Sequence, residues 1–73
     1  MIIFGIDPGT QRTGYGVIEC EGSALRHVDC GIIAPPAKMV LSDKVKFIYD
    51  GLLALLQEHR PDAIAIEEIF VAK

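Results

Sequence analysis

The chain is short and mildly acidic, with 73 residues, 51% of them hydrophobic and 23% charged, and a net charge of -3. No apolar run approaches the roughly 20 residues that cross a membrane, and the start lacks a basic segment and a signal cleavage site. We therefore expect a cytoplasmic protein with no membrane partner. The negative charge argues against an autonomous nucleic-acid binder, because such proteins neutralise phosphates with lysine and arginine. It does not exclude one that works through a bound cation.

The first predicted strand spans residues 2–7 and ends in a carboxylate. Its apolar residues do not alternate with polar ones, which is typical of a strand buried on both faces. Pro8 and Gly9 then predict a tight turn in which Gly9 takes a positive φ. Asp7 is thereby placed at the carboxyl end of the strand, where ligands bind in open α/β sheets.

A β-hairpin is predicted next. Residues 14–21 and 24–34 have the pattern of two antiparallel strands, joined by a two-residue turn at Gly22 and Ser23. This register places two pairs of side chains opposite one another: Glu19 with Arg26, and Val17 with Val28.

The two cysteines are expected to be buried free thiols. In the predicted register Cys20 lies opposite Leu25 and Cys30 lies opposite Tyr15, so the two sulfurs are not cross-strand partners. Their spacing also matches neither a CxxC motif nor a set of metal ligands.

Apolar residues recur at helical spacing across residues 42–59, which predicts one long helix. Ser42 is the predicted N-cap, and Pro61 prevents the helix from continuing. Gly51 lies inside the helix, either as a close-packing point against the sheet or as a plain imperfection. Tyr49 is expected to be buried or half-buried.

A fourth strand, residues 62–67, repeats the pattern of the first, because apolar residues again lead to a carboxylate. The strand–helix–strand crossover makes the third and fourth strands parallel. The simplest sheet order is 3-2-1-4, which places the first and fourth strands side by side. The predicted fold class is therefore a mixed α/β sheet in which Asp7 and Glu67 emerge together.

Asp7 and Glu67 are the candidate catalytic and metal-binding residues. Adjacent strands lie about 4.8 Å apart, so the two carboxylates can share a divalent cation, and oxygen ligands favour Mg²⁺ or Mn²⁺. The implied chemistry is metal-assisted phosphodiester hydrolysis. The alternatives stay open: Asp7 caps its turn, and Glu67 or Glu68 lies on a solvated strand end or in the first turn of a following helix.

The turn after the first strand is a second candidate site, because its backbone amides can donate hydrogen bonds to a phosphate. The residues concerned are Gly9, Thr10, Thr13 and Gly14. The equal alternative is a tight turn followed by a strand that needs small residues under a packed neighbour. His27 and His59 are expected at the surface or at a helix end, since neither has a partner at metal-ligand spacing.

Three motifs closely resemble the amino-terminal half of the RuvC Holliday junction resolvases. They are GIDPG at residues 5–9, TGYGVI at residues 13–18 and AIEEIF at residues 65–70, in the family's order and spacing. The resemblance also covers the helix start at residues 41–49 and the final residues 71–73. It implies a ribonuclease H-like fold, with Asp7 and Glu67 as Mg²⁺ ligands.

The same resemblance implies a function and a set of partners. The family acts as a homodimer that resolves four-way junction DNA by paired nicking during DNA recombination and repair. It works with the RuvA and RuvB branch-migration complex in the bacterial cytoplasm.

The family's two remaining acidic ligands lie near the carboxyl end of a longer chain. We therefore expect residues 1–73 to form a single partial ribonuclease H-like domain, a fragment with little or no nuclease activity of its own. The fourth strand would then be a free edge, and such edges recruit partners. We expect self-association through this edge or through the uncovered face of the sheet.

Three other functions remain open at this point. An ATP-binding module of the actin and sugar kinase type also opens with a strand that ends in an aspartate and a glycine turn, although this chain lacks a second phosphate motif. A YqgF-like RNA-processing nuclease shares the fold, and a folded interaction domain without chemistry is the third possibility.

Overall fold

The computed structural model describes residues 1–67 and places them in a four-stranded sheet with one helix. The elements are β1 (Ile2–Asp7), β2 (Thr13–Glu21), β3 (Ala24–Ile33), α1 (Leu41–His59) and β4 (Ala63–Ile66). The sheet order is β3-β2-β1-β4, in which β1 is antiparallel to β2 and parallel to β4, and β2 is antiparallel to β3. This confirms the predicted mixed sheet and its order. Glu68 and the rest of residues 68–73, on which part of the resemblance falls, lie outside the described residues.

The β2–β3 hairpin departs from the predicted register because it contains a bulge. Near the turn, Glu19 lies opposite Arg26 as predicted, with a side-chain N–O distance of 2.6 Å. Further along, Val17 lies opposite Asp29 and not opposite Val28. Val28 is the extra residue between two paired positions. Each residue after it therefore faces the side of the sheet opposite to the one predicted.

The prediction that both cysteines are buried is wrong, and the bulge explains the exposure of Cys30. Both cysteines are free, and Cys20 lies opposite Leu25 as predicted. Cys30, however, lies opposite Gly16 and not opposite Tyr15. Its side chain consequently faces away from the core and is exposed, while Cys20 is only partly buried.

Helix α1 begins one residue earlier than predicted, and Ser42 is not its N-cap. The amide of Lys44 donates to the carbonyl of Val40 at 2.9 Å, so Val40 is the N-cap, and it makes no side-chain capping hydrogen bond. Ser42 therefore lies within the first turn. The helix ends where predicted: Arg60 takes a left-handed conformation with φ of 46°, and its amide donates to the carbonyl of Leu56.

The core lies between α1 and one face of the sheet, which we call the helix side. Phe4 and Val17 are fully buried there, together with Thr13. The ring of Phe4 stacks on Tyr15 with centroids 5.6 Å apart. These side chains join β1 and β2 under the helix.

The helix packs closely against the sheet at Gly51. A Cβ at this position would lie 3.1 Å from the side chain of Ile33, so Gly51 is the close-packing point that the sequence offered as one alternative. Tyr49 is 63% exposed, and the expectation that it is buried is wrong. Two residues along a helix turn the side chain to nearly the opposite direction. Across residues 1–67, no helix is both long and apolar enough to cross a membrane.

The other face of the sheet, which we call the open face, has no helix against it within residues 1–67. Strand alternation places on it Gly5, Asp7, Gly14, Gly16, Cys30, Ile32 and Ala65. At the β4 edge, Ile64 and Ile66 are also exposed. The expected self-association through these surfaces stays a prediction.

Candidate active site

Asp7 is the last residue of β1 and lies opposite Gly14 of β2. Phe4, three residues earlier, points to the helix side, so alternation directs Asp7 to the open face. The Asp7 side chain is exposed. A full β1–β2 ladder holds its backbone, while its carboxylate faces solvent.

Glu67 follows β4 directly and is aligned with Asp7. The amide of Glu67 donates to the carbonyl of Ile6 at 3.0 Å, and this bond extends the parallel β1–β4 pairing by one residue beyond Ile66. Glu67 shares the open face with Ala65, two residues earlier. The structure thus places Asp7 and Glu67 at neighbouring backbone positions on one face, as the sequence predicts, and we call these two residues the open-face pair.

The open-face pair borders a shallow depression of about 670 Å³. Part of its floor is formed by residues with little or no side chain: Gly5, Gly14, Gly16 and Ala65. A Cβ on Gly16 would meet no atom within 4 Å, so this part of the floor is open to solvent. The arrangement leaves room beside both carboxylates for a hydrated ion or a backbone phosphate.

The turn that follows Asp7 is held by Thr13 and not by a positive φ at Gly9. The Thr13 hydroxyl donates to the carbonyl of Gly9 at 2.9 Å and accepts from its amide at 3.3 Å. Gly9 does not have a positive φ, contrary to prediction. It is glycine for a different reason, because a Cβ there would lie 2.5 Å from the carbonyl oxygen of Arg12. Of the predicted turn residues, Gly9 and Thr10 are exposed, whereas the Thr13 side chain is buried.

A second group of titratable side chains lies on the helix side, and sequence reasoning missed it. Nε2 of His59 lies 3.0 Å from Oδ2 of Asp29 and 3.1 Å from Oε2 of Glu58. The three ligand atoms lie within 4.8 Å of one another. Burial raises the pKa of the neighbouring Tyr15 hydroxyl above its ordinary value, and the negative charge of Asp29 raises it further. We call Asp29, Glu58 and His59 the helix-side cluster.

The bulge explains why this cluster was missed. In the predicted register Asp29 would lie opposite Gly16, on the open face and far from the helix. The extra residue, Val28, moves Asp29 opposite Val17 and turns it towards the end of α1. The adjacent Glu58 and His59 were visible in the sequence, but their partner was not.

Comparison with known proteins assigns the fold and the family. A family model described as "Crossover junction endodeoxyribonuclease RuvC" matches residues 3–73. The RuvC of Syntrophotalea carbinolica is 51% identical over 73 residues, which cover 100% of this chain and 45% of that protein. The RuvC of Bradyrhizobium diazoefficiens is 48% identical over 71 residues, which cover 97% of this chain and 41% of that protein.

Solved structures agree with the sequence relatives. A Thermus thermophilus RuvC structure superposes with a TM-score of 0.87 at 30% identity, covering 100% of this chain and 46% of that one. T. thermophilus RuvC in complex with a Holliday junction substrate gives a TM-score of 0.89 at 30% identity, with 47% of that chain covered. These matches confirm the ribonuclease H-like fold and favour RuvC over the ATP-binding and YqgF-like alternatives.

The chain therefore spans less than half the length of the relatives it matches. Over that span the family model, the sequence relatives and the superposed structures agree. The chain belongs to the RuvC family of crossover junction endodeoxyribonucleases.

Proposed function

We propose that the open-face pair holds a divalent cation in an endonuclease that resolves Holliday junctions by paired nicking during DNA recombination and repair. The observation that carries this proposal is the position of Asp7 and Glu67 at the carboxyl ends of two adjacent parallel strands, on one face. Family membership supports the proposed reaction class, and the positions of Asp7 and Glu67 support their proposed role as cation ligands.

The donor set fits Mg²⁺, with Mn²⁺ as a substitute. Asp7 and Glu67 offer carboxylate oxygens only, which these hard cations prefer. Mg²⁺ keeps several waters and typically uses one or two carboxylates plus substrate phosphate. The exposed carboxylates and the small-residue floor leave space for those waters.

Two features of this chain hold the backbone at both acidic residues before any ligand arrives. The β1–β2 ladder and the Thr13 hydroxyl bonds to Gly9 hold the backbone on both sides of Asp7. The hydrogen bond from the Glu67 amide to Ile6 holds the other carboxylate in register. When bound, a divalent cation supplies Lewis-acid activation of water and stabilisation of the leaving oxygen.

The substrate proposed for this site is four-way junction DNA. The open face presents the carboxylates without a covering element from residues 1–67, so a DNA backbone can approach them directly. The exposed turn residues Gly9 and Thr10 lie next to this approach. The Gly9 amide already donates to the Thr13 hydroxyl, so Thr10 is the proposed backbone contact for a phosphate. The superposed T. thermophilus protein is bound to a Holliday junction, which supports the choice of substrate.

Family membership also supports the proposed assembly. We propose a homodimer, because two symmetric strands must be nicked, and cooperation with RuvA and RuvB in the bacterial cytoplasm. The 73 residues contribute two of the acidic ligands that the resemblance implies. We accordingly expect no junction cleavage by the 73-residue chain alone, even at stoichiometric concentration.

A chimaera tests the functional proposal. Residues 1–73 would replace the matching 45% of the Syntrophotalea carbinolica RuvC, and cleavage of a labelled four-way junction would be measured with Mg²⁺. We expect symmetric nicking, and its loss on Asp7→Asn or Glu67→Gln. The matched control Asp43→Asn, in the first turn of α1, should keep its activity. An active Asp7→Asn chimaera would contradict the proposal.

A further inference from the structure

The helix-side cluster lies on the face of the sheet opposite to the open-face pair. Asp29 comes from β3, and Glu58 and His59 are the last two residues of α1. Both carboxylates approach the same atom, Nε2 of His59. The ring of Phe4 lies 6.5 Å from the His59 ring, so the imidazole sits at the border of the core, and only 15% of its side chain is exposed.

The geometry of Glu58 is informative because neighbouring residues in a helix do not face each other. The Glu58 side chain is 67% exposed and has free access to water, yet its Oε2 turns back to 3.1 Å from Nε2 of His59. Glu58 also lies at the carboxyl end of the helix, where the helix macrodipole favours positive charge. A positive charge between the three groups would therefore be favoured both by the carboxylates and by the end of the helix.

A single proton on Nε2 of His59 cannot make a full hydrogen bond to both carboxylates. Nε2 carries at most one hydrogen, while two carboxylate oxygens lie within 3.1 Å of it. Two carboxylates held this close to one nitrogen in a partly buried site repel each other. A divalent cation in the place of that proton would neutralise both carboxylates and accept the imidazole lone pair.

The distances also suit a metal ion. Zn²⁺ binds His nitrogen and carboxylate oxygen at about 2.0–2.2 Å, so donors at tetrahedral angles lie about 3.4 Å apart. The two separations measured at His59 are a few tenths of an ångström shorter. Binding would therefore need small outward movements of both the Glu58 and the Asp29 carboxylates. Imidazole as a ligand favours Zn²⁺ over Mg²⁺.

We propose that Asp29, Glu58 and His59 form a second metal site, selective for Zn²⁺ or a similar borderline ion, which fastens the end of α1 to β3. The site is independent of the open-face pair, because the two groups lie on opposite faces of the sheet and share no residue. Its role is structural: a ligand that binds only the folded state stabilises that state.

The test is a Zn²⁺ titration of the 73-residue chain followed by NMR of the imidazole protons. A Cys20→Ser, Cys30→Ser background removes the two thiols, which otherwise compete for the metal. The chain contains only two histidines, so each gives its own signals. We expect Zn²⁺ to shift the signals of His59 and to leave those of His27 unchanged, and to raise the thermal unfolding midpoint by several degrees.

Calorimetry on variants gives the magnitude. His59→Gln should weaken Zn²⁺ binding by on the order of 100-fold or more, since even outer-shell partners change metal affinity 10–100-fold. The matched control is His27→Gln, on exposed strand surface, which should leave affinity unchanged. Glu58→Gln removes an exposed ligand with little risk to folding, and should also weaken binding. Asp7→Asn should have no effect.

Two results would overturn the proposal. One is a folded chain, with dispersed amide signals, in which Zn²⁺ leaves the His59 signals and the unfolding midpoint unchanged. This would make the cluster a proton-bridged contact only. The other is equal Zn²⁺ affinity in the parent chain, His59→Gln and Glu58→Gln, which would place the metal elsewhere.

Discussion

The open-face pair and the helix-side cluster both combine acidic residues from separate elements, but they are assembled in different ways. Asp7 and Glu67 each end a strand, and parallel pairing alone brings them to one edge. Asp29 and His59 are in contact only because a single extra residue, Val28, reverses the faces on which the following β3 side chains lie. A site at strand ends thus follows from the sheet topology, whereas a site between the helix and the sheet depends on a local irregularity in one strand.

The largest effect is expected from a substitution in the core that supports both the open-face pair and the helix-side cluster. Phe4→Ala deletes the fully buried ring beneath the helix, at a cost of about 3–5 kcal/mol. For so small a domain this approaches the whole free energy of unfolding, so both groups should lose their geometry together. Urea unfolding followed by circular dichroism measures the loss.

Leu25→Ala is the control for this substitution, because Leu25 is 71% exposed. Its free energy of unfolding should stay within about 0.5 kcal/mol of the parent. A folded Phe4→Ala chain with native unfolding midpoint would show that the core does not join the two groups.

A smaller change should disturb the open-face pair alone. In Gly9→Ala the new Cβ would meet the Arg12 carbonyl oxygen at 2.5 Å, and relieving this backbone clash should cost about 1–3 kcal/mol. We expect amide shifts at Asp7 and unchanged imidazole signals of His59. Gly16→Ala is the matched control, since its Cβ would meet nothing within 4 Å. Equal destabilisation by both would contradict the account of the turn.

A still smaller change should disturb the helix-side cluster alone. In Gly31→Ala the Cβ would lie 2.7 Å from the Tyr15 hydroxyl oxygen. The end of a side chain moves more easily than backbone, so we expect a cost of about 1 kcal/mol. The His59 signals should shift, and Mg²⁺ binding at Asp7 should not. Loss of Mg²⁺ binding would show that the two faces are coupled.

The smallest effect concerns pH. Burial and the charge of Asp29 raise the pKa of the Tyr15 hydroxyl above its ordinary value of 10.0. The folded state therefore holds this proton more tightly than the unfolded state, and the resulting stability is present below about pH 10 and is lost as the pH rises through the folded pKa. Urea midpoints measured between pH 8 and pH 11 should fall more steeply in the parent than in Tyr15→Phe. Parallel profiles would contradict the assignment.

Much of the fold was predictable because its signals are local. Strand ends were marked by Asp7 and by the turn at residues 22–23. The crossover rule made the third and fourth strands parallel, and the simplest order consistent with this was 3-2-1-4. Family motifs gave the ribonuclease H-like class. The open-face pair followed from the same reasoning, since two carboxylates at the ends of adjacent parallel strands must be neighbours.

The remainder could not be predicted because it depends on packing. Nothing in the sequence around Val28 marks it as an extra residue, and this one shift moved Asp29 to the helix side and Cys30 to the open face. The helix start was misplaced for a related reason. Ser42 is a favourable N-cap, but the backbone bond from Lys44 to Val40 begins the helix earlier.

The most direct test of the central claim is Mg²⁺ titration of the ¹⁵N-labelled 73-residue chain, observed by amide chemical shifts. The account predicts saturable shifts centred on Asp7, Gly14 and Glu67, their loss in Asp7→Asn, and their persistence in His59→Gln and in the control Asp43→Asn. Saturable shifts that survive in both Asp7→Asn and Glu67→Gln, or that centre on the helix side, would contradict it.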